Sequence, residues 1–269
     1  MKVPLLAWGA IDSARLLLGS VRTPSVVQPG GREGFEALKH QSRFNAMKMR
    51  RFDRITQLSI VLLEHVIKPM AELMEAVPRP EISLVLGTGL GTLETSLSCC
   101  DQIAAHGDKY CSPMGFMNSV HNSIGANIAQ LFDIQGQNMT FSQTQRVFDI
   151  ALLHAALLLQ EQPQALVMVV GVEEMGAPLR GLLSCSPQAA PCYSDIEGDS
   201  CVLMVLGHQV ASPYHIDLGS RQAWASAKGV LCAPEHPLAS AQDLVDQLQA
   251  MEQGQRNVPK FLAQVKGSR

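Results

Sequence analysis

The sequence predicts an α/β fold, and three observations carry that prediction. Short apolar runs rich in β-branched residues recur at 81–89 (EISLVLGTG), 165–174 (ALVMVVGVEE) and 199–207 (DSCVLMVLG). Runs of this length without alternation suit strands covered on both faces. Longer stretches with apolar residues at helical spacing lie among them. The two kinds alternate along the chain, the pattern of helices layered on a sheet.

In chain order, residues 1–20 predict a strand and a short helix. Residues 21–45, rich in Gly, Pro, Arg and Gln, predict an irregular surface segment. RFDRITQLSIVLLEHVIKPMAELMEA (51–76) has the spacing of one amphipathic helix, ended by Pro78 and Pro80. A buried strand over 81–89 follows. Gly87, Gly89 and Gly91 then permit a tight turn into a helix over 92–106. GTGLG is not a dinucleotide fingerprint, because position 92 is Thr and no acidic residue stands at ribose distance. Residues 113–131 predict one helix with Pro113 in its first turn. NMTFS (138–142) predicts a short strand. Gln145 to Gln160 predicts a helix with Phe148, Ala151, Leu152, Ala155 and Leu159 on one stripe. Residues 165–174 predict a central strand, and 199–207 another. Beyond about residue 210 the periodicity fades. The expected division is therefore a domain over 1–210 and an extension over 211–269. That extension carries an amphipathic helix at 240–251, with Leu244, Val245, Leu248 and Met251 on one face and a cap-like Ser240 and Asp243.

Composition excludes several classes. The 269 residues are 46% hydrophobic and 17% charged, with a net charge of −3. No basic surface argues for nucleic acid. No apolar run approaches the roughly 18–20 residues that span a bilayer. Asp12 and Arg15 interrupt the apolar start, so a signal peptide is not expected. The seven cysteines (99, 100, 111, 185, 192, 201 and 232) are odd in number and irregularly spaced, without a CxxC pair or zinc spacing. Reduced cysteines, a cytoplasmic location, no metal and no cofactor are the expectation.

The order of motifs then becomes informative. RRFDRITQLSIVLLEHVI resembles the R-x-x-D-R helix near the start of β-ketoacyl-carrier-protein synthases. LVLGTGLG resembles their strand and glycine turn. PMGFMNSVHNSIGANIAQLFDIQGQNMTFSQTQ is similar to their interface helix, G-P turn and T-x-S-x-A-C elbow. VMVVGVEE resembles the strand ending in a G-G-x-E type turn, and SDIEGDSCVLMVL the closing D-G-x-x-x-G-E-G-A strand. The resemblance spans roughly residues 45–207. It implies a thiolase-like fold: the ketosynthase N-terminal half, a layered α/β structure on a mixed sheet, with a truncated C-terminal half.

On that elbow, Thr140 and Ser142 match the family, and Gln145 falls where its acyl-accepting Cys would stand. A thiol attacks as thiolate. An amide only donates and accepts hydrogen bonds. No H-G-T-G-T or K-x-x-x-G-H pattern follows, and His208, His215 and His236 lie in neither context. No catalytic residue is therefore assigned.

Gln at this position resembles the chain-length factors, the non-catalytic ketosynthase β subunits of type II polyketide systems. The shorter chain and SVHNS resemble the form found with aryl-polyene clusters. The resemblance implies a heterodimer with an active ketosynthase, or two such pairs, served by an acyl carrier protein. It implies tunnel or interface roles for Leu93, Ser96 and Cys100 on one helix and Phe116, Met117 and Val120 on the next. His121 would bond across the boundary or sit satisfied inside. Two alternatives remain. One is a malonyl-carrier-protein decarboxylase of the Gln-type ketosynthase class. The other is an enzyme using Cys111 or Cys185, neither of which has a His in a recognisable motif. Glu173 and Glu174 end a strand; the resemblance implies a structural role there.

Overall fold

A strand with apolar side chains on both faces needs cover on both, and β6 (Leu166–Glu173) is buried along its whole length. It lies between β7 (Ser200–Gly207), antiparallel, and β4 (Ile82–Thr88), parallel. The structure, a computed structural model, describes residues 1–143, 146–176, 181, 198–218 and 264–267. Within these, β4 pairs in parallel with β5 (Asn138–Ser142), which forms one edge. On the other side β7 pairs antiparallel with β1 (Lys2–Ile11), β1 with β2 (Arg15–Ser20), and β2 with β3 (Thr23–Pro29). The order is β3-β2-β1-β7-β6-β4-β5, a mixed sheet. Strands β8 (Tyr214–Asp217) and β9 (Gln264–Gly267) pair with each other, and β8 also pairs with the start of β1.

Helices cover both faces. On one lie α1 (Gly31–His40), α3 (Arg54–Ile67) and α7 (Ser123–Phe132), sharing a core with Leu6, Leu84, Met168 and Leu203. On the other lies α8 (Val147–Glu161), packed on Leu5, Val85, Val169 and Met204. The side chain of Asp53 caps α3 by accepting the Thr56 N–H and hydroxyl. The helical stretch 51–76 is not continuous. After Ile67 it tightens into a 3₁₀ turn, Lys68–Met70, and resumes as α4 (Ala71–Ala76). Pro69 has no N–H for an i→i−4 bond, so the break falls there.

Strands β4 to β7 and the helices α5 (Leu93–His106) and α8 lie where the sequence predicts them, within one or two residues. Four expectations are corrected. Residues 1–20 form two strands, not a strand and a helix. They turn at Asp12, whose carboxylate accepts the N–H groups of Ala14 and Arg15. Residues 21–45 are not irregular, since they contain β3 and α1. The predicted helix over 113–131 is two helices, α6 (Pro113–Asn118) and α7. The fourth is the helix over 51–76, broken at Pro69; beyond residue 210, where the sequence shows no strong period, β8 pairs with the start of β1. The predicted helix 240–251 lies outside the described residues.

Close approach explains one glycine of the N-terminal strands. A Cβ on Gly19 would lie 2.6 Å from the Trp8 ring. That indole is fully buried, donates to the Ser25 hydroxyl at 3.1 Å and meets the Tyr214 ring edge-on at 5.1 Å. The core predicts a stability contrast. Phe148→Ala should cost about 3–5 kcal/mol. Phe116→Ala should change the stability of the isolated chain by about 0.5 kcal/mol or less, because Phe116 is exposed. Urea unfolding of the two variants checks both values.

Candidate functional site

The C-terminal ends of β4, β5 and β6 meet at one rim of the sheet, since Gly87 pairs with Phe141 and Gly171, and Thr88 with Ser142. Open α/β sheets bind ligands at this rim. Residues 143–146 separate β5 from α8, and the structure describes the two ends of that segment. Arg146, just before the helix, has φ +53°, a left-handed conformation unusual for a side chain of this size. Its Nε donates at 2.9 Å to the carboxylate of Asp149, which is fully buried in the first turn of α8. A Cβ on Gly87 would meet the Val147 carbonyl at 3.0 Å, so this glycine lets β4 approach the helix start. Gln145 itself lies outside the described residues.

The glycine turn after β4 is held from below. Gly89 and Leu90 both donate their N–H groups to the carboxyl of Glu173, the latter at 2.9 Å. Gly91 donates to the Thr88 hydroxyl at 2.8 Å. Gly91 has φ +60°, and a Cβ there would also lie 2.7 Å from the ring of His121. Next to the turn, Arg54 reaches three carboxylates: Glu94 at 3.1 Å, Glu174 at 3.6 Å and Asp199 at 3.1 Å. Glu174 also accepts the Glu94 N–H at 2.9 Å. The R-x-x-D-R segment thus acts structurally, with Asp53 as cap and Arg54 as clamp.

With the fold and this corner in view, comparison with known proteins is decisive. Residues 32–192 match the family model of the β-ketoacyl synthase N-terminal domain. The chain belongs to that family. The matched region begins upstream of the motifs quoted above and includes α1. Similar folds recur in solved structures. A chain of the ishigamide ketosynthase/chain length factor superposes with a TM-score of 0.59 at 17% identity, covering 85% of this chain and 72% of that one. A chain of the ketosynthase ApeO in complex with its chain length factor ApeC, from Xenorhabdus doucetiae, gives 0.55 at 15% identity, covering 80% and 82%. A β-ketoacyl synthase from Burkholderia phymatum gives 0.58 at 11% identity, covering 92% and 72%. These likenesses establish the thiolase-like ketosynthase fold. No curated protein sequence matches.

The predicted tunnel residues gather on α5, α6 and the turn after α6. Leu93 and Ser96 are half-buried and Cys100 is exposed. Ser96 is not a free lining position, because its hydroxyl donates to the carbonyls of Thr92 and Ser119. Phe116, Met117 and Val120 are 62%, 65% and 46% exposed, a large apolar area for a lone surface. His121 is also exposed and sits in the turn between α6 and α7 rather than mid-helix. The break there has a cause the sequence does not display. Asn118 is buried and donates to the Arg51 carbonyl, while its own carbonyl accepts from Thr92 and Ser123.

Thiol chemistry finds no support at Cys201, which is buried with its pKa pushed up to about 12 by burial. Cys111 is half-exposed, and Cys185 lies outside the described residues. Among the described residues no cluster of side chains is placed to hold a metal ion, and no helix is long and apolar enough to cross a membrane.

Burial pushes the Glu173 carboxyl up to about 8, against the pull of the Gly89 and Leu90 N–H groups and the Thr88 hydroxyl. Burial raises Glu174 to about 7, opposed by the Glu94 N–H and Arg54 and assisted by the Glu94 and Asp199 charges. Both acids hold protons more tightly in the folded chain than at the ordinary value of 4.5. Below that value both states are protonated and neither group affects stability. As pH rises through the window from 4.5 to about 8, the unfolded chain releases its protons first, so stability falls and then levels off. Urea midpoints across this window should show the decline, and Glu173→Gln should make it shallower.

Proposed function

We propose that this chain is a non-catalytic, chain-length-factor-like subunit. It pairs with an active β-ketoacyl-carrier-protein synthase and shapes the acyl tunnel during polyketide elongation of the aryl-polyene type, in the cytoplasm. The observation that carries this reading is the corner. β5, the left-handed Arg146 and the buried start of α8 are all kept, yet the sequence places Gln145 at the nucleophile's position. An amide there forms no thioester. A retained corner without its reactive atom serves architecture and a partner rather than chemistry.

Two surfaces support the partner. β5 is an edge strand, with one neighbour among the described residues and Met139 41% exposed. Such an edge offers backbone groups to another chain. The α6 arm adds Phe116, Met117 and Val120. The likeness to chains from two structures named for a ketosynthase with its chain length factor agrees with this assignment. A carrier protein would deliver the acyl chain to the pair.

Co-expression with the neighbouring ketosynthase, purified through a tag on this chain alone, tests the proposal. Co-elution at a fixed ratio is expected, with the chain poorly soluble by itself. Phe116→Asp should abolish co-elution. Met117→Trp should shorten the product and Met117→Ala lengthen it, read by mass spectrometry. A soluble chain that ignores the ketosynthase would overturn the proposal. Carbon dioxide release from malonyl carrier protein by the isolated chain would instead point to a decarboxylase.

A further inference from the structure

Three cysteines cluster at the foot of the α6 arm. Cys99 lies buried on α5, Cys100 beside it is exposed, and Cys111 is half-exposed on the segment that returns to α6. Helix geometry sends consecutive side chains about 100° apart, so Cys99 and Cys100 face different ways. Residues three, four and seven apart share a face, and Cys99, Gln102 and His106 define the face of α5 turned to the returning segment. That segment is folded back by Gly107, which has φ +86° and donates its N–H to the Ile103 carbonyl at 2.8 Å. The Tyr110 ring then meets the His106 ring at 5.9 Å, and the Ser112 N–H points to the Gln102 side chain at 3.5 Å. Cys111 is carried between these two contacts, and the segment lies against Cys99: the Cys99 Sγ and the Ser112 Cβ stand 3.3 and 3.6 Å from one point, the Cβ that a substitution would add at Gly115. The first turn of α6 also rests on this sulfur.

We propose that Cys99 and Cys111 are a redox pair that closes reversibly into a disulfide, fastening the α6 arm to α5. The oxidant is a small-molecule disulfide of the glutathione type. Cys111, the more accessible thiol, loses its proton and attacks one sulfur of that disulfide. A mixed disulfide forms, and one small thiolate leaves and takes up the proton. Cys99 then attacks the Cys111 sulfur, closing the protein disulfide and expelling the second small thiol, which receives the Cys99 proton. Two protein thiols are oxidised and one small disulfide is reduced to two thiols. Burial, together with the neighbouring Cys111 and Cys100, raises the Cys99 pKa. Cys99 is also buried while Cys111 is half-exposed, so the first encounter with a small disulfide falls to Cys111. The consequence falls on the arm that displays Phe116 and Met117: oxidation would hold it in one place relative to α5.

The test reads cysteine pairing and not ketosynthase binding, so its failure is separable from failure of the function proposed above. The 269-residue chain, alone or co-purified with the ketosynthase, is equilibrated with mixtures of reduced and oxidised glutathione, free thiols are blocked, and peptides are mapped by mass spectrometry. A Cys99–Cys111 peptide pair is expected, without bound glutathione, and dithiothreitol should reverse it. In Cys99→Ser, Cys111 should instead retain a glutathione adduct, because the resolving thiol is gone. Stable glutathionylation of Cys111 in the unaltered chain would overturn the proposal. So would pairing of Cys111 with Cys100 or another cysteine, or equal alkylation of Cys99 and Cys111 under oxidising mixtures. The wild-type mapping decides the matter even where the variant folds poorly.

Discussion

One guanidinium fixes the frame on which the rim of the sheet depends. Arg54 opens α3, Glu94 lies in the first turn of α5, Glu174 follows β6, and Asp199 precedes β7. Glu174 is almost fully buried, and a buried carboxylate persists only where charge or hydrogen bonds compensate it. Arg presents five donors in a planar fork, so a single side chain can serve several carboxylates. The start of α5 is thereby tied to the ends of two strands. The glycine turn between β4 and α5 then has little freedom, and Glu173 removes more by accepting two of its N–H groups. The α6 arm is placed by α5 in turn, through Ser96, Thr92 and Asn118.

The corner before α8 shows how architecture and chemistry separate. Val147 and Phe148 are fully buried, and the Val147 carbonyl packs against Gly87. Reshaping the corner would displace the helix that fills one face of the sheet. On the function proposed above, what the corner retains is this packing of β4 on the start of α8.

Much of this was legible in the sequence, and the exceptions have physical reasons. β4, β6 and β7 were visible because fully buried strands leave unbroken apolar runs, and β5 because polar residues bound a short run. The N-terminal hairpin was missed in part because LLAWGAI and RLLLGS are apolar on both faces, which alternation does not resolve. The division of α6 from α7 was hidden because helical spacing continues across it. Its cause is the bond of Asn118 to the Arg51 carbonyl, 67 residues away. The resemblance implies a structural role for Glu173 and Glu174, but their N–H partners at Gly89, Leu90 and Glu94 were not legible, since they lie 80 to 84 residues away in the chain. The expectation that Gln145 stands in the nucleophile's place rests on motif order alone, while the left-handed Arg146 beside it needed coordinates.

The buried indole of Trp8 has a spectroscopic consequence. It sits in β1, four strand positions from the β5 edge. At the usual strand spacing that is roughly 19 Å. Dry surroundings and a hydrogen bond to Ser25 set the colour of its emission. That light tracks the opening of the N-terminal strands and is nearly blind to whatever settles on β5 or on the exposed arm. The sequence carries one other indole, Trp224, so in a Trp224→Phe chain a fluorescence melt and a fluorescence titration of the surface become two separate instruments, the second needing a fluorophore placed near Met139 or Phe116.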